Sequence, residues 1–182
     1  MRVLKNEEET LKLFDKLSKN KDLPESVNND LSAWKNYLTI KKYRLLTEPN
    51  LNNKKNLDSF IDERSKIADR YNYPSQRYIV DLETIHFLYQ LLEKNKNTDL
   101  KPWILYYSAL VEKDYRVSMF DMTVDRYLRE CIEIYSQNPA SKKCLNLYKE
   151  IKTLEFTGSR GTDIPKDVQK QFKKYEKMVN KK

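Results

Sequence analysis

The residues with the clearest spacing for chemistry are the only two glycines of the chain, which stand three apart in the run Gly158-Ser159-Arg160-Gly161. Backbone N–H groups of a loop in front of a helix N-terminus form an anion-binding site. A loop of the form GxxG with a basic residue inside is also a pattern that clamps a nucleic-acid backbone. The run 158–161 is therefore a candidate binding loop.

A purely structural interpretation of the same loop carries more weight. KH domains, which use a GxxG loop on nucleic acid, need flanking strands, and the sequence predicts none; a P-loop would need Gly-Lys-Ser/Thr. Instead, Gly158 ends or bends the chain after the seventh helix and Gly161 permits the return. Thr162 or Asp163 is then expected to cap the last helix, which Pro165 opens.

Aromatic side chains alternate with cations at several places, most clearly in Arg70-Tyr71-Asn72-Tyr73 and Gln76-Arg77-Tyr78. Such pairs can stack on bases or recognise protein partners, where tyrosine and arginine are enriched. The same pattern is typical of amphipathic helices in which tyrosine packs in the core, and this interpretation is favoured. Tyr71, Tyr73 and Arg77 are kept as candidate binding residues.

No set of residues predicts catalysis or a metal site. His86 is the only histidine, and among Ile85, Phe87 and Leu88 it is more typical of a packed helix residue. One histidine and two cysteines do not supply a zinc ligand set at the usual spacings. Acidic pairs such as Asp121 and Asp125, or Asp62-Glu63, indicate solvated faces or ion pairs within a helix. We expect no enzyme activity, no metal and no cofactor.

The two cysteines, Cys131 and Cys144, are symmetric about the turn Ser136-Gln137-Asn138-Pro139. Residues equally far from the apex of an antiparallel hairpin lie at the same level, so the two Cα atoms could approach disulfide distance. The alternative is a pair of buried free thiols, because cysteine is among the most buried residue types. A disulfide would favour an oxidising compartment.

Composition narrows the classes of partner. The formal net charge is +8, and the segment from Pro165 to Lys182 holds seven lysines against two acidic residues, a net charge of +5. A lysine-rich last helix is usually a solvated face, with phosphate binding as the alternative. No apolar run is long enough to predict a transmembrane segment. The first residues carry no signal peptide, so the chain is either cytoplasmic or the mature part of an exported protein.

Apolar periodicity predicts an all-α fold of about eight antiparallel helices without a strand. We expect residues 1–155 to form an array of paired helices, and residues 156–182 to add the glycine loop and a C-terminal docking helix to the same domain. The predicted helices cover approximately residues 6–19, 22–46, 57–71, 75–94, 102–115, 119–135, 139–151 and 166–179.

The pairing of helices, with proline near the junctions, resembles tetratricopeptide-like arrays, in which each helical hairpin stacks on the next. The best local match is Leu105 to Pro139, with Ala109 at the small position of the first helix and Tyr127, Cys131 and Ile134 packing along the second. From Tyr127 to Val168 the chain also resembles the C-terminal hairpin of bacterial envelope proteins of this helical type, in which a Gly-Ser-x-Gly-Thr-x-Ile/Leu-Pro turn follows the last hairpin. This resemblance favours an exported location and does not point to any particular activity.

The sequence thus predicts a non-catalytic protein-interaction or scaffolding module, periplasmic or otherwise exported, with a protein or peptide partner. The alternative is a nucleic-acid-binding protein that uses the lysine-rich last helix and the Gly-Ser-Arg-Gly loop. The sequence does not indicate an oligomeric state.

Overall fold

The computed structural model describes residues 7–20, 22–39, 50–70, 74–95, 97–113, 121–159 and 161–181. This part of the chain is all-α, as predicted, with one hairpin of two-residue strands. The elements in chain order are α1 (Glu7–Leu17), α2 (Glu25–Thr39), α3 (Lys54–Ala68), α4 (Pro74–Lys94), α5 (Lys101–Glu112), α6 (Asp121–Ile134), α7 (Ala140–Glu155), β1 (Thr157–Gly158), β2 (Gly161–Thr162) and α8 (Lys166–Val179).

Local polar contacts fix where the helices begin. The side chain of Asn53 accepts a hydrogen bond from the backbone N–H of Asn56 at 2.9 Å and so caps α3. For this reason α3 begins at Lys54, three residues before the predicted start, within a stretch that the sequence analysis takes as a connector. Pro102 lies in the first turn of α5, where its missing N–H costs no hydrogen bond. The predicted continuation of α2 to Leu46 lies outside the described residues.

The chain folds into two compact units, Met1–Phe87 and Leu88–Lys182. The boundary between them lies inside α4. The predicted division at residue 155, between the helical array and the glycine loop with its docking helix, stays a prediction. In the first unit, apolar side chains of α2, α3 and α4 form one buried cluster, against which Trp34 packs. Its members are Ala33, Tyr37, Ile67, Ala68, Ile79 and Val80.

In the second unit α5, α6 and α7 pack on one another, and α8 packs on α6 and α7. Two contacts between α6 and α7 share nearly the same midpoint in the sequence, Asp125 with Lys152 and Cys131 with Cys144, as expected for helices that run in opposite directions. The turn between them is held by Asn138, whose side chain accepts from Ala140 N–H and donates to the carbonyl of Asp99. The core of this unit includes Leu105, Ala109, Val124, Leu128, Ile132, Tyr148, Ile151 and Tyr175.

The burial expected from the tetratricopeptide-like alignment is found at three of its residues and not at the fourth. Ala109, Tyr127 and Cys131 are buried, but Ile134 is 66% exposed and does not pack along α6 as expected. The buried face of α6 is centred on Val124 and Leu128, and Ile134 lies at its margin in the last turn.

The glycine loop departs from the prediction of no strand. β1 and β2 pair antiparallel, with Thr157 opposite Thr162 and Gly158 opposite Gly161. The expected cap of the last helix is also wrong: α8 begins after Pro165, and no side chain caps it. Thr162 is instead paired in β2, and the N–H of Asp163 donates to the carbonyl of Phe156 at 3.0 Å.

No helix within the described ranges is both long and apolar enough to cross a membrane.

Candidate functional site

The glycine loop is an exposed hairpin that is held by its own hydrogen bonds. The hydroxyl of Thr157 lies 2.8 Å from that of Thr162 and 2.7 Å from the carbonyl of Thr153 on α7. Gly161 has a φ of 105°, which side chains other than glycine rarely adopt, whereas Gly158 does not have a positive φ. Apart from the glycines and their chain neighbours, no atom of the described residues lies within 4 Å of the position that a Cβ would take at either glycine. Gly161 is therefore required by backbone conformation and not by a close approach of another part of the chain.

The other candidate binding residues are only partly described. Arg160, Tyr71 and Tyr73 lie outside the described residues. Arg77, in the first turns of α4, is exposed and forms ion pairs with Asp69 at 3.0 Å and with Asp81 at 3.7 Å. Arg77 belongs to the first unit and the glycine loop to the second, and the binding role of each stays a prediction.

The two cysteines are brought together as their symmetry about the turn predicts. The Cα atoms of Cys131 and Cys144 lie 6.3 Å apart, and the sulfur atoms are at disulfide-bonding distance, 2.11 Å. Both residues are fully buried between α6 and α7. The hydroxyl of Ser141 donates to the carbonyl of Cys131 at 3.0 Å, which fixes the start of α7 against the end of α6 at the same level.

The residues considered for catalysis are half-buried on a helix or held in ion pairs, as far as the structure describes them. His86 is half-buried on α4, and Asp62 forms an ion pair with Lys66 one turn away at 2.5 Å. Asp125 is bound by Arg129 at 3.7 Å and by Lys152 at 3.0 Å, while the side chain of Asp121 lies outside the described set. Among the described residues, no three potential metal ligands come together.

An open groove, which the sequence did not indicate, lies along α6 in the second unit. We call it the α6 groove. It has a volume of about 830 Å³, and four of its eight lining residues are acidic and three are basic. The lining consists of Asp125, Arg126, Arg129, Glu130, Glu133, Ile134, Lys152 and Glu155.

Ion pairs hold most of these charges in place. Lys152 donates to Asp125 and to Glu155, each at 3.0 Å. Burial lowers the pKa of Lys152, but the hydrogen bonds to Glu155 and Asp125 outweigh it, so the pKa is raised and the ammonium stays charged. Glu133, also on α6, accepts a hydrogen bond from the buried Tyr175 at 2.6 Å. This hydrogen bond holds the carboxylate of Glu133 in place.

A second, smaller hollow lies between α4, α5 and α6 and has a volume of about 400 Å³. Its lining includes Tyr89 and Tyr127, whose ring centroids lie 6.0 Å apart, and the Tyr89 hydroxyl donates to the buried carboxyl of Glu112. Burial raises the pKa of Glu112, and the hydrogen bond from Tyr89 lowers it in part. Its other oxygen, Oε2, and the hydroxyl of Ser108 one turn earlier have no hydrogen-bond partner within the described ranges, which exclude residues 114–120.

The first unit contains a buried ion pair that the sequence analysis missed. Arg64 Nη2 lies 2.6 Å from Glu83 Oε2, and both side chains are buried. Tyr37 donates to the same carboxylate, and Arg64 also donates to the hydroxyl of Thr84 at 3.1 Å. The network joins α2, α3 and α4 and is fully enclosed, so we interpret it as a structural element.

In the last helix, lysine and tyrosine residues that are adjacent in the sequence lie on different faces. In Lys173-Lys174-Tyr175 the two lysines are exposed, whereas the tyrosine is fully buried and packs edge-on against Tyr148. Tyr175 is therefore not available to stack on a base. Helical periodicity could have indicated this, because Tyr175 shares a face with Val168, Phe172 and Val179.

Comparisons with protein-family models, with curated proteins and with solved structures found no match to this chain.

Proposed function

We propose that this chain is a non-catalytic protein-interaction module whose α6 groove binds a polypeptide segment of a partner. The observation that carries the proposal is the lining of the groove, in which fixed charges of both signs surround one exposed aliphatic side chain, Ile134. Such a surface matches a segment that presents an apolar residue between charged ones.

The shape and the chemistry of the groove favour a polypeptide over a small molecule. Sites for small molecules are mostly apolar and enclose most of the ligand. The α6 groove is open, and its charges are carried by side chains such as Arg126 and Arg129, which remain exposed. Exposed arginine beside an apolar residue is typical of protein interfaces. The paired helices are also what the resemblance to tetratricopeptide-like arrays leads us to expect of a binding module.

We propose an oxidising compartment as the place of action. The support is the enclosed Cys131 and Cys144 pair, with sulfur atoms at bonding distance, together with the resemblance of residues 127–168 to bacterial envelope proteins. Disulfides persist in exported proteins and are rare in reducing compartments.

The groove can be tested with peptides selected from a random library on the purified protein. Ile134→Ser should weaken the selected peptides by about tenfold or more, because an anchoring apolar contact is typically worth more than 1 kcal/mol. Leu154→Ser is the matched control, since Leu154 is 64% exposed on α7 and does not line the groove. Arg129→Glu, which reverses a groove charge, should weaken the same peptides.

Two results would contradict the proposal. One is a selection that yields no binder, and the other is a set of binders that Ile134→Ser and Leu154→Ser weaken equally. The second result would show that the peptides recognise some other surface.

A further inference from the structure

The outer face of α8 is a ridge of five lysines. Lys166, Lys170, Lys173, Lys174 and Lys177 are all exposed, and we call this set the lysine ridge. At 3.6 residues per turn they fall within an arc of about 100° and extend over about 16 Å of helix. The opposite face carries Val168, Phe172, Tyr175 and Val179, of which Tyr175 and Val179 are buried in the second unit.

The lysines of the ridge are not neutralised by acidic neighbours within the described part of the chain. No lysine of the ridge forms an ion pair with any residue that the structure describes. The two acidic residues of α8 lie outside the ridge, and one of them, Glu176, is bound by Lys149 of α7. By contrast, eight lysines elsewhere in the described chain are ion-paired: Lys12, Lys35, Lys54, Lys66, Lys101, Lys113, Lys149 and Lys152.

From this ridge we propose that α8 docks the protein on an anionic lipid surface by electrostatic attraction. A straight, convex row of ammonium groups can contact a plane of phosphate headgroups along its whole length. Clusters of four to eight cations on an amphipathic helix are typical of such binding. Because the apolar face of α8 is occupied by the protein core, the helix lies on the headgroups without inserting, and binding must weaken with salt.

The geometry is less suited to the two other classes of polyanionic partner. A helix in a nucleic-acid groove contacts the phosphate walls with its flanks, and the flanks of α8 carry Asp167 and Glu176. Single strands need exposed rings for stacking, and the aromatic residues of α8 lie on its core-facing side. An acidic protein partner is disfavoured because lysine is depleted in the centre of protein interfaces and no apolar anchor lies within the ridge.

The test is co-sedimentation of the full chain with vesicles of phosphatidylcholine alone or with about 30 mol % phosphatidylglycerol, at about 50 and 300 mM salt. We expect the protein to bind the vesicles that contain phosphatidylglycerol and not those of pure phosphatidylcholine. The binding should be lost at the higher salt concentration. Lys170→Gln/Lys173→Gln/Lys177→Gln should lower the partition coefficient by at least about tenfold. The corresponding triple arginine variant should retain binding, which separates loss of charge from loss of fold.

The matched control removes three exposed lysines outside α8, in Lys16→Gln/Lys19→Gln/Lys55→Gln, and so has the same net charge. It should bind the anionic vesicles as the wild type does. The proposal is overturned if the wild type fails to bind anionic vesicles at low salt, or if the two glutamine variants lose binding equally. It is also overturned if duplex DNA or single-stranded RNA releases the protein from the vesicles and the triple glutamine variant of the ridge binds that nucleic acid more weakly. Nucleic acid would then be the ligand.

Discussion

Gly161 is the residue whose identity the backbone demands most clearly. Its φ of 105° lies in the region that residues with a side chain rarely adopt, and the space around it is open. Gly161→Ala should therefore lower the free energy of unfolding by about 1 kcal/mol or more through backbone strain alone. Urea denaturation followed by circular dichroism measures the difference.

Gly158→Ala is the matched control for this prediction. Gly158 lies opposite Gly161 in the hairpin, has equally open surroundings and does not have a positive φ. Its replacement should leave the stability unchanged or raise it slightly, because alanine restricts the unfolded chain more than glycine does. Equal effects of the two substitutions would show that the conformation of Gly161 is not what the loop requires.

Glu112 is the residue at which stability should depend on pH. Burial raises the pKa of its carboxyl above the ordinary value of 4.5, so the folded state holds the proton to higher pH than the unfolded state does. Its contribution to the free energy of unfolding is therefore complete below pH 4.5 and falls as the pH rises through the raised pKa.

Glu112→Gln removes this dependence, because the glutamine side chain cannot ionise. The variant should be more stable than the wild type by about 1 kcal/mol or more at pH 7, where the wild type must bury a charge or take up a proton. At pH 4 the two should be nearly equal. Glu93→Gln, at an exposed position on α4, is the control and should show no such change between the two pH values. A difference for Glu112→Gln that is constant from pH 4 to pH 7 would contradict the assignment.

The hairpin of α6 and α7 is the element whose stability should depend on redox state. Cys131 and Cys144 are separated by 13 residues, and a disulfide that closes a loop of this size stabilises by about 3 kcal/mol in the chain-entropy model. Intact mass under non-reducing conditions should show the loss of two hydrogens. Reduction should lower the melting temperature by about 10 °C. Two freely alkylated thiols in protein taken from an oxidising compartment would refute the bridge.

The elements also show how far the sequence predicts this molecule. Helices and the approach of the two cysteines follow from local rules, since apolar periodicity, proline positions and symmetry about one turn are read within a single stretch of chain. The first turn of α3 was missed because Asn53 acts as a cap within a polar run that resembles a connector. The strands β1 and β2 were missed because two residues per strand carry no periodicity.

Sites formed by several helices were beyond sequence reasoning for a different physical reason. The ion pair of Arg64 and Glu83, with Tyr37, joins side chains that are 19 to 46 residues apart in three helices. The α6 groove likewise joins residues from several turns of α6 with the last turn of α7. Such partners are chosen by tertiary packing, and no spacing in one sequence shows which charged residues will meet.

At the scale of the whole molecule, each compact unit contains one of the two tryptophans. Trp34 packs against the core cluster of the first unit, and Trp103 is buried in α5 of the second. Trp103→Phe therefore leaves a fluorescence reporter of the first unit, and Trp34→Phe leaves a reporter of the second. The two single-tryptophan proteins allow unfolding to be followed unit by unit in the full chain.

We expect perturbations of one unit to appear mainly in its own reporter. Arg64→Met removes the cation that pairs with the buried carboxylate of Glu83, which should destabilise the first unit by about 3 kcal/mol and shift the denaturation midpoint reported by Trp34. Reduction of Cys131 and Cys144 should shift the midpoint reported by Trp103. The two perturbations lie in different compact units, so their effects should add when combined. If reduction instead shifts both midpoints by the same amount, α4, which runs through the boundary between Phe87 and Leu88, couples the units into one cooperative structure.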